Sequence, residues 1–302
     1  MPRKAMFLLK KVLGPENLKL YVWASLVSQI LIVVTGGAVR LTGSGLGCPT
    51  WPQCEEGSYT TVPALGVHGV IEFANRLLTF VLLVVAILTY LTVIRLPKSE
   101  KVGLVWPSFG LGLGIVAQAV IGGITVLTGL NSWIVGAHFL VSAVLIAIAT
   151  ILVWSFYGSW SYEATQGTRL LTSITALTGL VAIIIGIIVT GSGPHAGDAK
   201  TPRNGLDSDL LVHYHSYPAY LLLALVLLQS FLIFRNKESA KFLKNANLLF
   251  IGVLLYQVVL GIMQARLGLP IALVALHMLG ASLLASMLTL QLLINRKIFR
   301  VK

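Results

Sequence analysis

The feature that most constrains this chain is a series of eight apolar runs, at about 20–42, 68–94, 103–127, 132–156, 169–191, 209–233, 246–265 and 271–294. Each is long enough to cross a bilayer, for which a helix needs roughly 20 apolar residues. The hydrocarbon core offers the backbone no hydrogen-bond partner, so each run must close its bonds within itself as a helix. Of the 302 residues, 56% are hydrophobic and only 11% charged, against about 25% charged in a soluble domain. The expected fold is therefore an all-α membrane protein of eight transmembrane helices.

The net charge of +12 raises the question of nucleic acid, and its distribution answers it. Arg3, Lys4, Lys10, Lys11 and Lys19 precede the first run. Arg95, Lys98 and Lys101 join the second to the third, and Arg235, Lys237, Lys241 and Lys244 the sixth to the seventh. Arg296, Lys297, Arg300 and Lys302 follow the eighth. With eight spans all these segments lie on one side. This is the positive-inside pattern, which places both termini in the cytoplasm; the expected location is the cell (plasma) membrane. The basic residues have anionic membrane lipid as their partner, and no nucleic-acid partner is expected.

The halves of the chain repeat. Residues 117–138 align with 256–277 without a gap, pairing Gln118 with Gln257, Gly122 with Gly261, Gly129 with Gly268 and His138 with His277. A similar shift sets Asn75 opposite His215 and Phe80 opposite Tyr220. Val34-Thr35-Gly36-Gly37 in span one resembles Val189-Thr190-Gly191-Ser192 in span five. A unit of four spans, an even number, gives both halves the same orientation, a parallel repeat. The expected arrangement is two tandem four-helix bundles, 1–157 and 169–302, related by a pseudo-twofold along the membrane normal. A polar cytoplasmic segment, 157–168, joins them.

Ionisable residues inside spans are costly and point to function. They are His68, Glu72 and Arg76 in span two, His138 in span four, Asp209, His213 and His215 in span six, and His277 in span eight. These even-numbered spans all enter from the external side, and their histidines share one depth in the outer leaflet. A lone histidine in a bundle is more often a hydrogen-bonded core residue than a ligand. The repeat argues the other way, since His138 and His277 fill one slot twice. Bis-histidine haem ligation between facing helices is the simplest chemistry for such pairs. Zinc more often recruits carboxylate or thiolate ligands as well. Gly36, Gly37, Gly122, Gly123 and Gly261 beside these spans permit close approach of a helix or of a flat macrocycle. His213 and His215 lie about 200° apart around a helix, so one haem takes only one of them. The repeat shift favours His215.

Cys48 and Cys54, the two cysteines, fall in the first external loop. That compartment permits a disulfide, with two free thiols as the alternative.

The run Gly36-Gly37-Ala38-Val39-Arg40-Leu41-Thr42-Gly43-Ser44-Gly45-Leu46-Gly47-Cys48-Pro49-Thr50-Trp51-Pro52-Gln53-Cys54 resembles the first-loop signature of the haem A synthase family. Ile71-Glu72-Phe73-Ala74-Asn75-Arg76 is similar to that family's Glu-x-x-His-Arg motif, and the segments around His138 and His277 resemble its motifs in spans four and eight. The resemblance covers nearly the whole chain. It implies an oxidoreductase that converts the ring methyl of haem O to a formyl group by two hydroxylations, the geminal diol losing water. It implies a haem b cofactor between His215 and His277 in the C-terminal half. It also implies a haem O site in the N-terminal half facing His138, with Glu72 as the catalytic carboxylate and a Cys48–Cys54 disulfide. The implied partners are haem O synthase (protohaem farnesyltransferase), the assembly of cytochrome oxidase, and an electron donor that the motifs do not identify.

This chain departs from the family pattern at three places. Asn75 stands where the span-two histidine is usual. Ser216 stands where an arginine follows the span-six histidine. The second external loop, 193–207, has no cysteine pair. His68, Glu72 and Asn75 share a helical face at i, i+4 and i+7. His68 is therefore expected in the substrate pocket with Asn75 and Arg76, as a ligand or a proton relay. Glu72 can hold or release a proton or simply pair with Arg76 one turn on. The alternative to an enzyme is a dihaem cytochrome b-type electron-transfer protein. A transporter, suggested by the repeat alone, would bind no chromophore.

Overall fold

The computed structural model describes residues 10–158, 166–236 and 241–295. Arg3, Lys4, Lys237, Arg296, Lys297, Arg300, Lys302 and residues 159–165 of the linker lie outside them. Eight long helices fill the described residues: α1 (Leu18–Leu41), α2 (Gly66–Ile94), α3 (Val105–Leu127), α4 (Ser132–Tyr157), α5 (Gln166–Ser192), α6 (Ser208–Arg235), α7 (Lys241–Arg266) and α8 (Ile271–Ile294). All eight are long and apolar enough to cross a membrane. The chain is an all-α, multi-pass membrane protein. The largest shift from expectation is in α7, which starts at Lys241 ahead of the run at 246–265. Its first turn carries Lys241 and Lys244, and helical hydrogen bonding continues through polar residues that an apolar run excludes.

Local chemistry sets the helix ends. Asn131 caps α4 by accepting from the Trp133 N–H at 3.0 Å. Asp207 caps α6 by accepting from the N–H groups of Asp209 and Leu210, as N-cap side chains do. α3 and α7 end alike. Gly129 and Leu130 have φ of 60° each, and Gly268 and Leu269 have φ of 74° and 61°. The Leu130 and Leu269 N–H groups reach back to Thr125 O and Gln264 O, both at 2.8 Å. This is a Schellman-type close, and the repeat copies it 139 residues on.

α1 packs on α2, α2 on α3, α3 on α4 and α4 on α1, which closes a ring. α5, α6, α7 and α8 close a second ring in the same way. Between the rings α8 lies against α1 and α4, and α4 against α5. This pattern is compatible with a pseudo-twofold that passes between α4 and α8. One buried core runs across the junction, including Val22 and Leu26 of α1, Ile146 and Leu152 of α4, and Ala285 and Leu288 of α8. Thr150 and Ser286 hydroxyls meet there at 2.9 Å. Lipid is as apolar as leucine, so such association rests on close packing and small residues. Gly37 accordingly sits against the Met278 sulfur and Gly136 against Ile187. Large side chains such as Phe80, Leu113, Leu221 and Val259 point outward, towards lipid.

Candidate haem sites

The loop joining α1 to α2 marks one end of the molecule, the disulfide end. Cys48 and Cys54 are bonded there, with Cα atoms 4.4 Å apart. The candidate histidines lie near this end of α2, α4, α6 and α8.

In the C-terminal ring, α6 and α8 stand diagonally and carry His215 and His277. Their ring centroids are 6.4 Å apart with planes at 80°. Each ring leaves a fully buried Nδ1 without a hydrogen-bond partner. Each also rests on a glycine of the neighbouring helix. A Cβ on Gly186 of α5 would lie 2.9 Å from His215 Cε1, and one on Gly261 of α7 would lie 3.4 Å from His277 Cε1. Metal–imidazole bonds of about 2 Å place two rings that share one ion from opposite sides with centroids about 6 Å apart. The spacing, the unpartnered ring nitrogens and the donor types all fit an axially ligated haem. His213 points elsewhere. It is exposed, and its Nδ1 lies 2.7 Å from Asp209 O of its own helix.

In the N-terminal ring the same construction appears once. A Cβ on Gly122 of α3 would lie 3.4 Å from His138 Cε1, the same distance as in the copy at Gly261 and His277. His138 Nδ1 is likewise buried and unpartnered. The Gln118 amide, which donates to His138 O at 3.0 Å and to Ser142 Oγ, braces this turn of α4. Opposite, α2 offers Asn75, whose Oδ1 is buried without a partner and whose Nδ2 faces Gly36. This half therefore presents one imidazole and one amide.

Glu72 and Arg76 are turned to the disulfide loop. Glu72 is 6% exposed. Its Oε2 accepts from the Cys48 N–H at 2.6 Å, and its Oε1 accepts from Arg76 Nη2 at 2.6 Å and Nε at 3.1 Å. Arg76 also donates to the carbonyls of Cys48, Thr50 and Gln53 at 2.8–3.1 Å. The pair is a clamp that ties α2 to the loop. His68 sits above it, exposed, with Nδ1 2.8 Å from the buried Ser44 hydroxyl.

Two features escaped sequence reasoning. Gly186 takes the place beside His215 that Gly36 takes beside Asn75, whereas alignment had set Gly191 in the second half against Gly36. Gly191 instead packs on Asn204 and Ser132. The repeat between α1 and α5 is loose enough in sequence to hide this register. Arg40, at the end of α1, crosses to the other half and donates to His195 O at 2.6 Å and Thr190 O at 2.7 Å. The His195 ring in turn reaches Leu269 O at 2.9 Å. No local signal announces a contact across 155 residues.

Fold and sites together define a helical membrane protein with a facing pair of intramembrane histidines in the C-terminal half and a single histidine opposite an asparagine in the N-terminal half. The family model described as cytochrome oxidase assembly protein (COX15-CtaA) matches residues 19–65 and 59–289, and the chain belongs to that family. It is similar to the haem A synthase of Listeria welshimeri, 26% identical over 289 residues that cover 89% of this chain and 93% of that protein. The Listeria monocytogenes serovar 1/2a haem A synthase is 25% identical over the same coverage. That of Lysinibacillus sphaericus is 35% identical over 141 residues, 46% of this chain and 44% of its own.

Proposed function

We propose that this chain is a haem A synthase that oxidises the ring methyl of haem O to a formyl group through two hydroxylations and loss of water. The observation that carries the reading is the repeat-related seat of His138 on Gly122 and His277 on Gly261, completed by a facing histidine only in the C-terminal half. That half holds haem b through His215 and His277, and bound haem supplies the redox chemistry. The N-terminal half, 1–157, receives haem O.

The residues then divide the work. The intramembrane position lets a farnesylated substrate enter from lipid. His138 faces the substrate, and Asn75, a poor iron ligand, leaves the opposite side open. Arg76 anchors the loop over the site. Glu72 is the carboxylate that exchanges a proton near the reacting methyl when released from the Cys48 N–H. His68, bonded to Ser44 at the mouth, joins the pocket as a ligand or as a relay between Glu72 and the outside. The disulfide end faces outward and both termini face the cytoplasm of the cell membrane. Haem O synthase delivers the substrate, and the product goes to cytochrome oxidase assembly.

The test is pigment extraction and mass analysis from cells making this protein with haem O supplied. Haem A that appears only with the protein supports the reading. Haem O recovered unchanged from protein that carries two haems would replace it with the electron-transfer alternative.

A further inference from the structure

We infer that Trp51 is a substrate-binding residue of the N-terminal site, an aromatic panel of the disulfide loop that closes the pocket against the flat face or edge of the haem O macrocycle. This rests on the reading of that half as the haem O site. The loop lays the Trp51 indole directly on Gly123 of α3. A Cβ at that position would overlap the ring carbons Cδ2, Cε2 and Cγ, so the seat exists only because residue 123 is glycine. The preceding residue, Gly122, is the one against which His138 rests. Trp51 and His138 thus lie against successive residues of one helix, at one depth and about 100° apart around its axis.

The loop holds the indole in place from both sides. The Cys48–Cys54 bond closes it. Arg76 grips the carbonyl of Thr50, immediately before Trp51, and that of Gln53, two residues after it. Trp51 as a whole is 37% exposed. An indole fixed in this way presents an apolar face, which suits stacking on a conjugated macrocycle.

The other half lacks the device. The residue 139 positions after Gly123 is Ile262, which faces outward with 42% exposure, and the 193–207 loop has no cysteines. The C-terminal half meets its haem with two histidines, whereas the N-terminal half has one, so a fixed aromatic wall adds contact there. The competing account is that Trp51 is an interfacial anchor to lipid headgroups, which would leave ligand affinity unaffected.

The experiment titrates the protein, already carrying its C-terminal haem, with haem O and with unfarnesylated iron protoporphyrin, followed by absorbance and by steady-state turnover. Trp51→Ala and Gly123→Ala should each raise Kd and KM for haem O about tenfold, with kcat changed less than about twofold. Trp51→Phe should restore most of the affinity, the C-terminal haem spectrum should not move, and protoporphyrin binding should weaken in parallel. Wild-type Kd in Trp51→Ala with the disulfide intact by alkylation would overturn the inference and leave the lipid-anchor account. If Trp51→Ala disorders the loop, Gly123→Ala decides, because it keeps every loop residue. Wild-type protein that takes up no haem O would instead defeat the functional reading on which the inference stands.

Discussion

His213 and His215 show how finely one position decides chemistry. Two residues apart on a helix, they point about 200° apart. His213 turns to its own backbone at Asp209 O, 2.7 Å away, while His215 meets His277 across the ring. His215→Ala and His277→Ala should therefore each abolish the low-spin haem absorption of the purified protein, and His213→Ala should leave it intact. Loss of the band in His213→Ala would reverse the assignment.

The disulfide loop is the element on which the N-terminal site depends. Glu72 is acceptor-only when ionised, and both of its oxygens accept, one from a backbone N–H and the other from Arg76. Glu72→Gln is nearly isosteric but supplies one acceptor and one donor. With the two donors on different oxygens, an amide that accepts from one in place turns its own NH2 towards the other. The expected result is loss of formyl production with the C-terminal haem band retained, together with faster alkylation of Cys48 and Cys54 after mild reductant as the loop loosens. Lost production with unchanged alkylation would assign Glu72 to proton exchange alone. Normal haem A yield would reduce it to the partner of Arg76.

At the scale of the whole molecule, the two rings are joined by their shared core and, at the disulfide end, by Arg40. This half-buried guanidinium binds two carbonyls of the opposite half, and beside it Gly45 N–H donates to Gly197 O at 2.8 Å. Hydrogen bonds to charged groups contribute about 1.5–3 kcal/mol. Arg40→Met keeps an unbranched apolar stem and removes both bonds. It should lower the melting temperature of the detergent-solubilised protein by several degrees, about 2–4 °C per kcal/mol for a chain of this size, with the His215–His277 haem still bound below the transition. An unchanged melting temperature would show that the core alone holds the halves together.

Much of this was legible in the sequence. Lipid imposes its demand residue by residue, so the eight helices follow from apolar length alone. The repeat is equally visible, because a shift of 139 residues needs no geometry to detect, and it marks His138 and His277 as one slot before any fold is known. The two cysteines in the loop could be seen as a candidate bond from their compartment. What faces what was not legible. Trp51 on Gly123, Gly186 beside His215, and Arg40 on His195 each depend on how far a helix is rotated about its axis and where a loop crosses it. A rotation of one residue, 100° on an α-helix, exchanges every such neighbour while leaving the apolar pattern of a lipid-facing span almost unchanged. The sequence by itself determined how many helices cross the membrane and which of their residues are too polar to belong there. Only the packing of the two rings, with each helix locked in rotation by glycine seats and buried hydrogen bonds, decided which of those residues meet.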